Sequence, residues 1–165
     1  MEDIGHETRK AKSSIYYYFA NKEEVFKAVI EEEAAILRKE LRDATQGIND
    51  PVQKLKVHVV VRMHTMKGLV NYYAAIRQEY DAHLPFIEAL RERFDADEVA
   101  SIREILEQGV DQGKFEVIDT ELGAVAIVTA LKGLEVPLIW KPDASNLEAR
   151  LDKMLKILFY GILKR

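Results

Sequence analysis

The chain reads as an all-α protein, and three observations predict this. Apolar residues recur every three or four positions along nearly the whole length. Helix start and stop signals bracket those stretches. The 165 residues hold only four prolines and eight glycines, which leaves few places for a break. With 48% hydrophobic and 32% charged residues the chain suits one domain, or one domain with a small appendage, able to bury a core.

In chain order, residues 2–8 and 12–19 read as two short helices. Asn21 is an N-cap, and Glu24 three residues on completes a capping box for a long helix over about 21–46, striped by Phe26, Ile30, Leu37 and Leu41. Gly47 is its C-cap signal. Asp50-Pro51 starts the next helix. Val57, Val59, Val60 and Val61 taken alone suggest a strand. The longer pattern of Val52, Leu55, Val59, Met63, Met66 and Val70 favours a helix ending near Gly68. A further helix is expected over about 70–82.

Leu84-Pro85 opens a segment with two stripes: Phe86, Ile87, Leu90 and Phe94, then Val99, Ile102, Ile105, Leu106 and Val110. Asp95-Ala96-Asp97 between them is either a kink or a loop. Gly113 closes this segment, and Asp119 or Thr120 caps a helix over about 121–134. Trp140 lies in the loop after it and either walls a pocket or staples that loop. Ser145 caps the last helix, with Leu147, Leu151, Met154, Leu155, Leu158 and Ile162 on one side and Ile157 and Phe159 on another. The last two helices are apolar over too wide an arc for one-sided burial. Either they form a deeply buried hairpin, or they pair with a copy of themselves as a homodimer.

Residues 8–22 reverse the local charge. They hold Arg9, Lys10, Lys12 and Lys22 and no acid, in a chain of formal net charge −4. On a helix Ile15 and Phe19 share one face, while Ser13 and Tyr17 point the opposite way with Tyr16 on the flank. A basic, hydroxyl-rich, aromatic run in an acidic protein is a candidate surface for a phosphate backbone. An ordinary exposed helix is the competing reading.

Other chemistries leave little trace. The chain has no cysteine, so disulfides, thiol catalysis and cysteine-type zinc sites are excluded. His58 and His64 lie on different helix faces, and no metal-ligand pair of histidines, nucleophile elbow or phosphate-cradling glycine loop appears. No enzyme activity and no cofactor is expected. The N-terminus carries no signal pattern, and no apolar run approaches the ~18 residues needed to span a bilayer. A cytoplasmic protein with no membrane partner is expected.

The run from Lys12 to Phe26, Lys-Ser-Ser-Ile-Tyr-Tyr-Tyr-Phe-Ala-Asn-Lys-Glu-Glu-Val-Phe, preceded by Ile4-Gly5, closely resembles the end of the DNA-binding domain of the tetracycline-repressor (TetR) family. By that resemblance Arg9 stands where the family usually has the glycine of its turn. By the same resemblance Met1 falls where the family is already entering its second helix, so the family's first helix is not expected within these residues: either the chain is shortened or that helix has been lost. The resemblance implies a remnant helix-turn-helix with its linking helix over 1–46, and a ligand-binding and dimerisation domain over 47–165. It implies a ligand-responsive transcriptional regulator, a repressor by preference, with operator DNA, a small-molecule effector and a second copy of the chain as partners. Lys10, Lys12, Ser13, Tyr16, Tyr17, Tyr18 and Lys22 become the candidate DNA contacts. Lys12 and Ser13 would reach base edges or nearby phosphates, Tyr16 and Tyr17 phosphates or a thymine methyl, and Lys22 a phosphate. The family's effector cavity implies His58, Met63, His64, Met66, Tyr73, Arg77 and Tyr80 as ligand contacts, with Tyr72 and Phe86 nearby. A dimeric small-molecule-binding module without DNA binding is the alternative, should the incomplete helix-turn-helix not hold together.

Overall fold

The computed structural model describes residues 18–69, 85–135 and 147–160. These form α1 (Lys22–Thr45), α2 (Pro51–Gly68), α3 (Pro85–Asp111), α4 (Thr120–Glu135) and α5 (Leu147–Tyr160). The helices expected over 2–8, 12–19 and 70–82, the Ser145 cap and Trp140 lie outside the described residues, apart from Tyr18 and Phe19 at the end of the second.

Helix ends fall where local chemistry puts them. The Asn21 side chain accepts from Glu24 N at 2.9 Å, and Glu24 Oε2 accepts from Ala20 N at 2.8 Å. The return bond of the capping box therefore reaches one residue further back than the usual arrangement. Gly47, at φ 77°, follows the end of α1 and allows the left-handed turn there. Asp50 accepts from Gln53 N at 3.3 Å, with Pro51 in the first turn of α2. At α4 the capping side chain is Asp119, which accepts from Leu122 N at 2.9 Å.

The valine-rich segment is helix throughout, as its length predicts. Asp95-Ala96-Asp97 is not a loop between two helices: α3 runs unbroken through it. Both stripes therefore lie on one long helix, where Phe94, Ile102, Ile105 and Leu106 are buried. Val110, expected on the second stripe, is exposed near the helix end.

The core gathers Ile30 and Ala34 from α1, Leu55, Val59, Met63 and Met66 from α2, and the buried face of α3. Ala124, Ile127, Val128 and Leu131 of α4 and Leu147, Leu151 and Leu155 of α5 complete it. The main helix pairs are α3 on α4 and α1 on α2, with α2 between the pairs and α5 resting against α2. Among the described residues α4 and α5 do not approach closely, so they are not the hairpin that adjacency in sequence suggests. On α5 it is Phe159, rather than Leu158, that turns inward. Its ring stacks on Phe115 with centroids 6.5 Å apart, tying the end of α5 to the connector before α4. Leu122 and Val125 of α4 and Ile157 and Leu158 of α5 are left exposed.

Candidate functional site

A cleft of about 610 Å³ opens between α1 and α3, with α2 at its back and the end of α4 at its base. That volume falls in the range of small-molecule pockets, roughly 300–1,000 Å³. Leu41, Met66, Phe94 and Ile105 supply apolar surface to its lining.

At its base sits a buried polar network. Arg62 of α2 donates through Nε to Glu98 Oε1 of α3 at 2.6 Å, and through Nη2 to Glu135 Oε1 of α4 at 2.7 Å. His58, one turn earlier on α2, meets the same Glu98 oxygen through Nε2 at 3.3 Å. Arg62, His58 and Glu135 are buried, and the Glu98 side chain is only 11% exposed. Burial works against each charge. For Arg62 the carboxylates of Glu98 and Glu135 more than offset it, and its pKa lies above the usual arginine value. For Glu98 burial is outweighed by the Arg62 charge and the His58 hydrogen bond, and its pKa is held below the usual carboxylate value. One guanidinium thus ties three helices together at the bottom of the cleft.

The walls carry further charge pairs. Arg38 of α1 reaches across to Asp97 of α3 at 3.2 Å, and its guanidinium lies 4.7 Å over the Phe94 ring. Lys132 of α4 pairs with Asp95 of α3. Lys54 of α2 donates to Gln108 Oε1 at 3.1 Å, and Gln108 Nε2 donates to the Asn49 carbonyl at 2.8 Å.

The residues expected to hold a ligand divide into three groups. His58 and Met66 line the cleft. Met63 is wholly buried in the core and His64 points to solvent on the exposed side of α2, so neither lines it. The i, i+1 and i, i+2 neighbours of a lining residue face elsewhere on a helix, which is why two of the four α2 candidates miss. Tyr73, Arg77 and Tyr80, with Tyr72, lie outside the described residues, and the Phe86 side chain is not among those described.

Sequence reasoning passed over Arg62, Glu98 and Glu135. A signal for them exists. Arg62 extends the buried series Leu55, Val59 and Met66 at spacings of three and four; Glu98 falls between Phe94 and Ile102; Glu135 follows Leu131 by four. A charged residue in the register of an apolar stripe is a candidate buried partner.

Of the candidate DNA contacts, Lys10, Lys12, Ser13, Tyr16 and Tyr17 lie outside the described residues. Tyr18 is 73% exposed. Lys22 is the first residue of α1, where its backbone is placed immediately after the Asn21 cap. Among the described residues no three His, Asp or Glu side chains converge to hold a metal ion, and no helix is long and apolar enough to cross a membrane.

Residues 1–29 match the family model described as bacterial regulatory proteins, tetR family. No curated protein sequence matches the chain significantly. Among solved structures, a Clostridium perfringens protein assigned as a fatty acid metabolism regulator superposes with a TM-score of 0.80 at 20% identity, over 99% of this chain and 89% of its own. The TetR family transcriptional regulator PfmR of Thermus thermophilus gives 0.74 at 20% identity, over 99% and 88%. AibR, solved in complex with isovaleryl coenzyme A and operator DNA, gives 0.71 at 21% identity, over 95% and 85%. A segment similar to the tetR family model, residues 1–29, thus leads into a helical fold shared with these solved structures.

Proposed function

We propose that this TetR-type chain is a ligand-responsive, DNA-binding transcriptional regulator, a repressor that works in the cytoplasm as a homodimer. The observation that carries the reading is the course of α1. It begins at the end of the basic, aromatic segment, inside the stretch matched by the family model, and further along supplies Leu37, Arg38, Leu41 and Arg42 to the cleft. One helix therefore connects the DNA-contact segment to a small-molecule cavity. A ligand that favours one placement of α1 shifts the spacing of two recognition segments in a dimer, and operator affinity changes with it by linkage. Such coupling is typically about 1–3 kcal/mol, or roughly 5- to 150-fold in affinity. AibR, of the same fold, is bound to both an acyl coenzyme A and operator DNA, which supports a joint role for cavity and DNA segment here.

The dimer rests on the uncovered apolar positions Leu122, Val125, Ile157 and Leu158. A two-fold axis lets such a helix face cover its own copy. Among candidate cavity residues, His58 and Met66 would touch ligand, together with Arg38 and Phe94.

The test is enrichment of duplexes from a random pool by the full chain, followed by gel-shift and sedimentation. The expected result is enrichment of a two-fold symmetric site. Tyr17→Ala combined with Lys22→Ala abolishes its binding and leaves the dimer intact. Failure to enrich any duplex, or undiminished binding by the double variant, refutes the DNA-binding assignment. Leu122→Asp with Ile157→Asp yields a monomer by sedimentation; an unchanged species refutes the proposed dimer surface.

A further inference from the structure

We infer that the cleft takes an amphipathic organic anion, a molecule with a carboxylate or phosphate head and an apolar body. This rests on the reading of the cleft as the effector site. Charge pairing across the cleft is uneven. Arg38 is answered by Asp97, Lys132 by Asp95, and Arg62 by Glu98 and Glu135. The end lined by Thr45 and Gln108 is different. There the half-buried Lys54 meets no carboxylate among the described residues, and its ammonium is bonded to the neutral Gln108 carbonyl. Gln108 is neutral and cannot balance the ammonium charge, and its amide nitrogen donates to the Asn49 carbonyl.

Arg42 lines the same end, one turn beyond Arg38 on α1, and likewise forms no ion pair among the described residues. Glu104 shares the lining but pairs with neither cation. At this end Arg42 and Lys54 stand against Glu104 alone, and Lys54 is half out of water. A charge in that position is stabilised by a counter-ion with matching hydrogen bonds. A cationic head finds less, because Glu98 is held by Arg62 and His58, Glu135 by Arg62, and Glu104 is the one lining carboxylate outside an ion pair among the described residues. The apolar surface of Leu41, Met66, Phe94 and Ile105 lies in the same cleft and suits an alkyl or aryl body. Arg42 and Lys54 come from different helices, so an anion bridging them also links α1 to α2.

The test is calorimetric titration of the full chain with octanoate, octyl phosphate, octylammonium and 1-octanol, each below its micelle concentration. The expected result is that one of the two anions binds at least about tenfold tighter than octanol and octylammonium. The order of octanoate and octyl phosphate identifies the head group. Lys54→Met and Arg42→Gln each weaken the anion about tenfold and leave octanol unchanged. Arg42 is exposed, so Arg42→Gln carries the test if Lys54→Met fails to fold. Ala100→Trp, at the cleft lining, separates the two levels of the reading. Octanol or octylammonium binding as tightly as the anions, and abolished by Ala100→Trp, overturns the anion class and keeps the cleft as a site. No binding of any probe, or binding indifferent to Ala100→Trp, overturns both.

Discussion

Replacing Arg62 by Met removes the one cation that three helices share and leaves two carboxylates buried at the base of the cleft. Met keeps most of the volume and the apolar stem, so the loss is of charge and hydrogen bonds more than of packing. Glu98 and Glu135 have side chains 11% and 8% exposed, so water cannot replace the two short bonds at 2.6 and 2.7 Å. Breaking a buried pair from one side costs about 3–5 kcal/mol. For a chain of this size that is a fall of roughly 6–20 °C in Tm, at about 2–4 °C per kcal/mol. The pH dependence gives the stronger check. In the parent protein the folded-state pKa of Glu98 is depressed, so its contribution is present above the ordinary value of 4.5 and is lost as pH falls through the folded value. In Arg62→Met the same carboxyl keeps its burial without its main counter-charge. Its pKa then moves up, and protonation relieves the defect. The destabilisation is therefore largest near pH 7 and shrinks as pH falls towards and below 4.5. Urea unfolding of both proteins at pH 7 and pH 4, followed by circular dichroism, measures this. A loss under about 1 kcal/mol at pH 7, or a loss that does not change with pH, refutes the reasoning. Replacing all three members together by Met, Gln and Gln recovers much of the stability, because no buried charge is then left alone.

Two further outcomes are expected. Asn21→Ala removes the acceptor for Glu24 N and costs about 1 kcal/mol of stability, seen as faster amide hydrogen exchange in the first turn of α1 with little change in α3. Gly109→Ala would gain about 1 kcal/mol from helix propensity alone, yet a Cβ there overlaps the Phe115 ring. The ring must leave its place against Phe159, so a net loss in urea unfolding is expected; a net gain shows that Phe115 yields without cost.

Much of the fold was legible because its signals are local. Asn21 with Glu24, Asp50 with Pro51, and Gly47 each act within four residues, so helix boundaries can be read one turn at a time. The choice left open at Asp95-Ala96-Asp97, a kink or a loop, has the same origin, and the loop is the alternative that fails. Two acids look like a loop from outside, but they continue the helix because both find cations on other helices, Lys132 and Arg38. The site was less legible. His58 and Met66 were placed by resemblance and line the cleft, whereas Met63 and His64, close by on the same helix, do not. Sequence spacing shows which residues share a face, but not which face a neighbour covers.

By itself the chain determined that it would be helical, where its helices begin and end, and that a basic aromatic segment leads directly into a long one. Those are consequences of backbone hydrogen bonding and side-chain periodicity over three or four residues. Only the tertiary structure decided that Arg62 answers Glu98 and Glu135, 36 and 73 residues away, and that Lys54 at the other end of the cleft answers a neutral amide. Charge balance inside a protein belongs to the space between helices, and that space exists only once the helices have packed.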